Sequence, residues 1–320
     1  MADAKKQRAP RNQTLSLTKA ERLRLGKSIL SEVPANCQKL PQGVAHGDYR
    51  DWLQVIPPES VDLLFLDPPY NLNKAFDGLR FSRKKESEYT EWLESVLVDL
   101  TPLLKQTASV YICGDWRTSH SIFETASRHF IIHNRITWER EKGRGAKTNW
   151  KNASEDIWFC TVSKNFVFNV DAVKLRRQVI APYKDKQGVP KDWQATGQGK
   201  FRDTHPSNVW TDITIPFWSM PENTDHPTQK SEKLLAKILL ASTNEGDYVL
   251  DPFLGSGTTA VVAKKLNRRY FGTDLSEDYC LWAAKRLELA DTNPSIQGYA
   301  GGVFWERNTM SQQISRQFKK

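Results

Sequence analysis

A run of apolar residues, Val61-Asp62-Leu63-Leu64-Phe65-Leu66, stops at two consecutive prolines in Asp67-Pro68-Pro69-Tyr70. The run is too short for a useful helix, and a mostly apolar segment bounded by a turn reads as a central strand of a parallel sheet. Parallel strands need crossover connections, so the chain must supply helices to cover both faces. The tetrapeptide then sits where ligands of open α/β sheets bind, outside the carboxyl end of a strand. Its prolines fix φ and delete two backbone donors, which leaves the Asp67 and Pro68 carbonyls and the Asp67 carboxylate as acceptors. A strand-terminating turn with a solvated Asp fits the same four residues.

The chain around this run has βαβ grammar. A short strand leads into Gly47-Asp48, with a helix near Asp51 to Ile56, and a helix from Ser87 to Leu104 precedes a strand from Ala108 to Cys113. Further strands are expected at Phe130 to Trp138, Asp156 to Val162 and Phe166 to Asn169. Then come a helix from Ser231 to Ala241, the strand Tyr248-Val249-Leu250, a helix from Thr258 to Leu266, a strand from Tyr270 to Thr273 and a helix from Glu277 to Ala290. Near the N-terminus apolar residues recur at helical spacing from Leu17 to Val33, and Thr18 and Glu21 have the spacing of a capping box. The expected organisation is a basic arm and peripheral helix over 1–36, a first catalytic half over 37–163, and a charged, Pro- and Gly-rich insertion over 164–223. A second half over 224–295 and a weakly ordered tail over 296–320 complete it.

Forty-six Lys and Arg against 37 acids give a net charge of +9 and favour a polyanionic partner. Cys37, Cys113, Cys160 and Cys280 are far apart, without a CxxC pair, so neither a disulfide framework nor a metal site is expected. No apolar stretch approaches the roughly 18 residues of a membrane span. The setting expected is cytoplasmic.

A second constellation lies late in the chain. Val249-Leu250-Asp251-Pro252-Phe253-Leu254-Gly255-Ser256-Gly257-Thr258-Thr259 is a strand running into a glycine turn and a helix, which brings backbone amides close to a ligand. It lacks the third glycine of the dinucleotide fingerprint and the Lys of the P-loop, so a carboxylate-bearing nucleoside fits better than a pyrophosphate. Asp274 ends the next strand, where a carboxylate can accept both hydroxyls of a ribose or, alternatively, cap the following helix.

Together these residues resemble the S-adenosylmethionine-dependent DNA amino-methyltransferases, in the order of the family's β class. The catalytic D-P-P-Y comes first and the F-x-G-x-G turn, Phe253 to Gly257, comes last. Asn149-Trp150-Lys151-Asn152, His205 to Trp210 and His226-Pro227-Thr228-Gln229-Lys230 also resemble family segments, the last with Ser231 where the pattern has Pro. The resemblance spans about Val44 to Leu289. It implies a Rossmann-like methyltransferase fold, a mostly parallel twisted sheet with helices on both faces, circularly permuted, with segment 164–223 as an inserted target-recognition element.

The resemblance further implies a catalytic set of Asp67, Pro68, Pro69 and Tyr70 and S-adenosylmethionine as cofactor. Asp251, Phe253, Gly255 and Gly257, with Thr258 in the same turn, would surround its methionine and sulfonium. Asp274 would take the ribose, Asp48 would lie near the adenine, and Thr228, Gln229 and Lys230 would flank the cofactor, with Lys230 on the methionine carboxylate. Lys142, Arg144, Lys147, Asn149 and Lys151 would form a loop that meets double-stranded DNA. Asp67 and the Pro68 carbonyl would orient the exocyclic amine of a flipped adenine while Tyr70 stacks on it. N4 of cytosine is the nearest alternative target, RNA or protein acceptors a further one, and a non-catalytic DNA-binding subunit the alternative of another class. A bacterial or phage origin, a cognate restriction endonuclease and a homodimer accompany the family resemblance.

Overall fold

The computed structural model describes residues 9–34, 39–76, 79–140, 146–179, 183–189, 192–196 and 199–307. An eight-stranded sheet runs, edge to edge, through Gly43–His46, Arg269–Asp274, Tyr248–Asp251, Val61–Leu66, Leu104–Gly114, Ser154–Thr161, Ile131–Glu139 and Val209–Trp210. The first five are parallel. Ser154–Thr161 is antiparallel to both its neighbours, and Val209–Trp210 pairs parallel to Ile131–Glu139.

Alternation along Val61–Leu66 explains why a continuous apolar run is needed there. Leu64 and Leu66 point into the core built with Leu93, Leu97 and Ile122 of helices Glu86–Leu100 and Ser119–His129. Leu63 and Phe65 point the other way, onto Leu235, Ile238 and Val262 of helices Glu232–Ser242 and Thr258–Lys265. The single acid of the run, Asp62, is held at the strand's start by Lys105 Nζ at 2.7 Å and the Tyr248 backbone N–H at 2.9 Å.

Val249 lies opposite Leu63 and Leu250 opposite Leu64, so Asp67 and Asp251 emerge at the same end of adjacent parallel strands. From Tyr248–Asp251 the chain proceeds toward one edge of the sheet, and from Val61–Leu66 toward the other. This reversal of strand order is a topological switch point, where a crevice opens.

Several expected elements end elsewhere. The N-terminal helix has its capping box but covers only Lys19–Gly26, because Leu30 leaves the helix to bridge Ala45 at the sheet edge. Asp48 caps a single helical turn, Tyr49–Trp52, which tightens into a 3-10 turn over Leu53–Val55 instead of running to Ile56. Residues 166–169 form no strand. Asn169 is drawn to the end of helix Glu232–Ser242, donating its backbone N–H to Ala241 O at 2.7 Å and its amide to Thr243 O at 3.2 Å.

The C-terminal segment is not a loose tail as far as Arg307. Val303–Trp305 pairs parallel with Leu175–Gln178 in a second, five-stranded sheet that also contains Tyr299–Ala300, Gly199–Thr204 and Gln194–Thr196. Phe304 is fully buried there, so a three-residue apolar run suffices to anchor the segment. The insertion thus shares its sheet with the end of the chain. Cys113, Cys160 and Cys280 are free and buried. Among the described residues no helix is long and apolar enough to cross a membrane.

Candidate active site

A cavity of ≈ 270 Å³ opens at the switch point. Every catalytic and cofactor residue expected from the sequence lines it except Gly257. Pro68 and Pro69 end the central strand, and Tyr89 of the following helix donates its hydroxyl to the Pro69 carbonyl at 3.3 Å. Phe253 closes the apolar side against Tyr49 and Trp92, with ring centroids 5.7 and 6.2 Å away.

The glycine turn is shaped by two left-handed residues, Gly255 at φ +55° and Gly257 at φ +81°. A Cβ on Gly257 would lie 2.4 Å from Ala283 Cβ, so this glycine lets helix Glu277–Thr292 pack against the turn. Asp274 Oδ2 accepts the Gly255 N–H at 2.8 Å, while Oδ1 accepts the Ser276 N–H at 2.8 Å. Asp274 therefore braces the turn and the approach to the next helix, whose N-cap is Ser276, accepting the Tyr279 N–H, and it borders the cavity. Asp48 likewise borders the cavity while accepting the Arg50 N–H at 2.9 Å.

Sequence reasoning missed what lies beneath the turn. Arg286, 3 % exposed, donates to the Ser256 carbonyl at 2.9 Å, Thr258 Oγ1 at 2.9 Å and Glu232 Oε1 at 3.1 Å. Glu232 also receives Lys265, and burial beside Glu232 raises the Glu222 pKa. Nothing in the local sequence marks Arg286 apart from its place on a helix that also carries exposed charges.

Asp251 is buried at the cavity wall, where it accepts the Phe253 N–H at 3.1 Å. Desolvation pushes its pKa up to about 7 against hydrogen bonds from Thr259 and Phe253 that act to lower it. The folded-state pKa exceeds the unfolded one, so Asp251 weakens the fold as pH rises toward 7. A cationic ligand favours the ionised form and reverses that tendency.

At the catalytic end, both oxygens of Asp67 are engaged. Tyr70 donates its hydroxyl to Oδ1 at 3.0 Å and Lys230 Nζ donates to Oδ2 at 2.6 Å. The structure thus places the Lys230 ammonium on the D-P-P-Y carboxylate, where sequence reasoning had aimed it at the methionine carboxylate. Lys230 arrives there because its neighbours are consumed by the loop. Gln229 accepts the Thr224 N–H and hydroxyl at 2.9 and 2.6 Å and donates to the Glu222 carbonyl at 2.6 Å, and the Thr228 N–H donates to His226 Nδ1 at 3.3 Å.

Lys147, Asn149 and Lys151 are exposed beside Trp150, which is 97 % exposed. They lead into Ser154–Thr161, whose Asp156 lies opposite Gly114 at the same end of the sheet as Asp67. Lys142 and Arg144 lie outside the described residues.

Residues 61–285 match the DNA methylase family of N6 and N4 amino-methyltransferases. This chain belongs to that family. It is 36 % identical over 254 residues to the DNA adenine methyltransferase YhdJ of Escherichia coli (strain K12), covering 77 % of this chain and 83 % of the relative. The type II methyltransferase M.HpaI of Haemophilus parainfluenzae is 33 % identical, with coverages of 74 % and 71 %. The crystal structure of the M1.HpyAVI–SAM complex superposes with a TM-score of 0.50 at 26 % identity, covering 77 % of this chain and 99 % of that one.

This DNA methyltransferase is S-adenosylmethionine-dependent. Its cavity fits that cofactor chemically. Gly255 presents no side chain at the cavity wall, a buried carboxylate suits a cationic group, and the N-terminus of helix Thr258–Lys265 suits an anionic one. When bound, the cofactor supplies an electrophilic methyl group on a sulfonium.

Proposed function

We propose that the chain transfers this methyl group to N6 of an adenine flipped out of double-stranded DNA, at a fixed short sequence. The observation that carries the reading is the shared cavity: a carboxylate and a proline-fixed carbonyl at one strand end face a glycine turn at the adjacent strand end. An aryl amine is a poor nucleophile because its lone pair is delocalised, so positioning is the main task. Asp67 accepts one N–H and the Pro68 carbonyl the other, which turns the nitrogen lone pair toward the cofactor. Asp67 also stabilises the positive charge developing on nitrogen and would take the proton that the methylated nitrogen sheds, on its way to solvent, the cofactor's sulfur departing as a neutral thioether. Tyr70 releases Asp67 Oδ1 to the incoming amine and stacks on the base, worth roughly 1 to 3 kcal/mol.

Asp at the first motif position and the kinship with an adenine methyltransferase support adenine over cytosine. The type II relatives support a modification role beside a restriction endonuclease. The order of motifs supports the β class. Digesting DNA methylated by the purified protein to nucleosides tests the base: N6-methyldeoxyadenosine is expected, and N4-methyldeoxycytidine alone would overturn it.

In the cofactor half, Asp251, Asp274 and the turn from Phe253 to Thr258 hold S-adenosylmethionine, with Asp48 and Thr228 at its flanks. Ionised Asp251 attracts the cationic cofactor, so affinity is expected to rise by up to about tenfold per pH unit as pH approaches 7 and to level off above it. Calorimetric titrations across pH check this, and an unchanged slope in Asp251→Asn would contradict it. Lys147 and Lys151, with Asn149 and Trp150, meet the DNA. Changing both lysines to Glu is expected to weaken binding to any duplex and to lower the salt slope by about two phosphate contacts. Equal salt slopes for variant and wild type would contradict that contact.

A further inference from the structure

Lys230 does not stand alone on Asp67. Its ammonium, 6 % exposed, also lies 3.5 Å from Glu155 Oε2, and Glu155, 4 % exposed, is paired through Oε1 with Arg140. The four side chains form one line of alternating charge across the sheet end. Asp67 follows the central strand, Lys230 precedes helix Glu232–Ser242, Glu155 lies in Ser154–Thr161, and Arg140 follows Ile131–Glu139. Glu155 does not line the cavity, whereas Lys230 and Asp67 do.

Burying charges in this way costs several kcal/mol per ion unless each is paired, and an apolar set would pack the sheet end as well. The arrangement makes physical sense if it sets a geometry. Asp67 must hold one oxygen toward an amine N–H within a few tenths of an ångström, and its χ angles alone leave it free to swing. A lysine reaching from another element fixes Oδ2, but a lysine side chain has four torsions and fixes nothing unless its own end is held. Glu155, together with the Tyr70 hydroxyl 3.3 Å from Nζ, provides that second hold, and Arg140 balances the charge of Glu155. Glu155 Oε2 is buried without a hydrogen-bond partner among the described residues and lies 3.5 Å from the Lys230 ammonium, a contact of charge. The Lys230 ammonium also lies 5.6 Å from the centroid of the Tyr70 ring, so the same cation borders the group that stacks on the base.

We propose that Glu155 is a positioning residue for methyl transfer, acting through Lys230 to fix the carboxylate of Asp67, with Arg140 as its counter-ion. The proposal rests on Asp67 as acceptor of the target amine. It assigns work to two charged residues that lie outside the D-P-P-Y and glycine-turn motifs, and it moves Lys230 from the cofactor to the reacting end.

The test is a double-variant cycle on the full-length protein with Glu155→Gln, Lys230→Met and their combination, read by single-turnover rate and by the dissociation constant for S-adenosylmethionine. Glu155→Gln is expected to slow the chemical step by about 10- to 100-fold, the range a 1 Å misplacement commands. Cofactor affinity is expected to stay within about threefold in each variant, since the changes leave Asp251, Asp274 and the glycine turn, the groups assigned to the cofactor, untouched. The combined variant is expected to be no slower than Lys230→Met alone.

A wild-type rate in Glu155→Gln, fully multiplicative losses in the combination, or a loss confined to cofactor affinity would each overturn the proposal. Should Glu155→Gln fail to fold, Glu155→Asp keeps the charge, withdraws it by one methylene and enters the same cycle with the same criteria. The wild type is assayed alongside on duplex DNA. Absence of transfer there would sink the reading of the site itself, and transfer in the wild type with an unaffected Glu155 variant would sink only this proposal.

Discussion

Asp67→Ala is expected to lower methyl transfer by at least about 10²- to 10³-fold, the loss typical of removing one charge-stabilising group, while leaving cofactor affinity within a few-fold. The carboxylate is the only anionic acceptor in the D-P-P-Y motif, and it is 19 % exposed at the cavity, where an amine can reach it. Its removal frees the Lys230 ammonium, which retains Glu155 as an anionic neighbour, and the Tyr70 hydroxyl. The glycine turn and Asp274 are bonded to each other and not to Asp67, so the cofactor half keeps its shape. Equilibrium binding and single-turnover transfer measured on the same preparation separate the two effects. Unchanged turnover would refute the mechanism; loss of both binding and turnover would assign Asp67 to the cofactor.

The second large effect is structural in origin and functional in outcome. Gly257→Ala places a methyl group 2.4 Å from Ala283 Cβ and 2.8 Å from Ala283 Cα, at a residue whose φ of +81° already disfavours a side chain. Overpacking and left-handed strain together cost about 2 to 5 kcal/mol. The turn can relieve the overlap only by moving away from helix Glu277–Thr292, and Arg286 of that helix holds the Ser256 carbonyl and the Thr258 hydroxyl. The expected outcome is a lowered melting temperature together with loss of cofactor binding. A variant that melts and binds like the wild type would contradict the role given to this glycine.

These two positions also show where sequence reasoning succeeds and where it stops. Val61–Leu66 was legible because both faces of a central strand are buried, which demands a continuous apolar run, and because prolines can end a strand but not continue it. Gly255 and Gly257 were legible because left-handed backbone close to another element leaves little choice of residue. Ser231 was expected to open a helix in place of the family's Pro, and it does so by accepting the Lys233 N–H.

Buried charge was not legible. Glu155 and Arg286 look like ordinary surface residues in sequence because the groups they meet, Lys230 and Glu232, lie far along the chain, and Arg140 meets Glu155 only once two antiparallel strands have paired. Lys230 was recognised by its motif, yet its direction depends on where Gln229 and Thr228 spend their hydrogen bonds. The Phe166 to Asn169 segment has strand-like composition, and only the carbonyls at the end of helix Glu232–Ser242 explain why Asn169 turns away. The weakly ordered tail expected over 296–320 is ordered as far as Arg307. Val303–Trp305 is ordered because Leu175–Gln178 offers it a strand to pair with.

Single-molecule sequencing of DNA from cells expressing this chain tests the central claim most directly, with cells expressing Asp67→Ala as the comparison. The expected result is N6-methyladenine at one short sequence motif in the first culture and unmodified adenine at that motif in the second. N4-methylcytosine at the motif, or the same modification in both cultures, would contradict it.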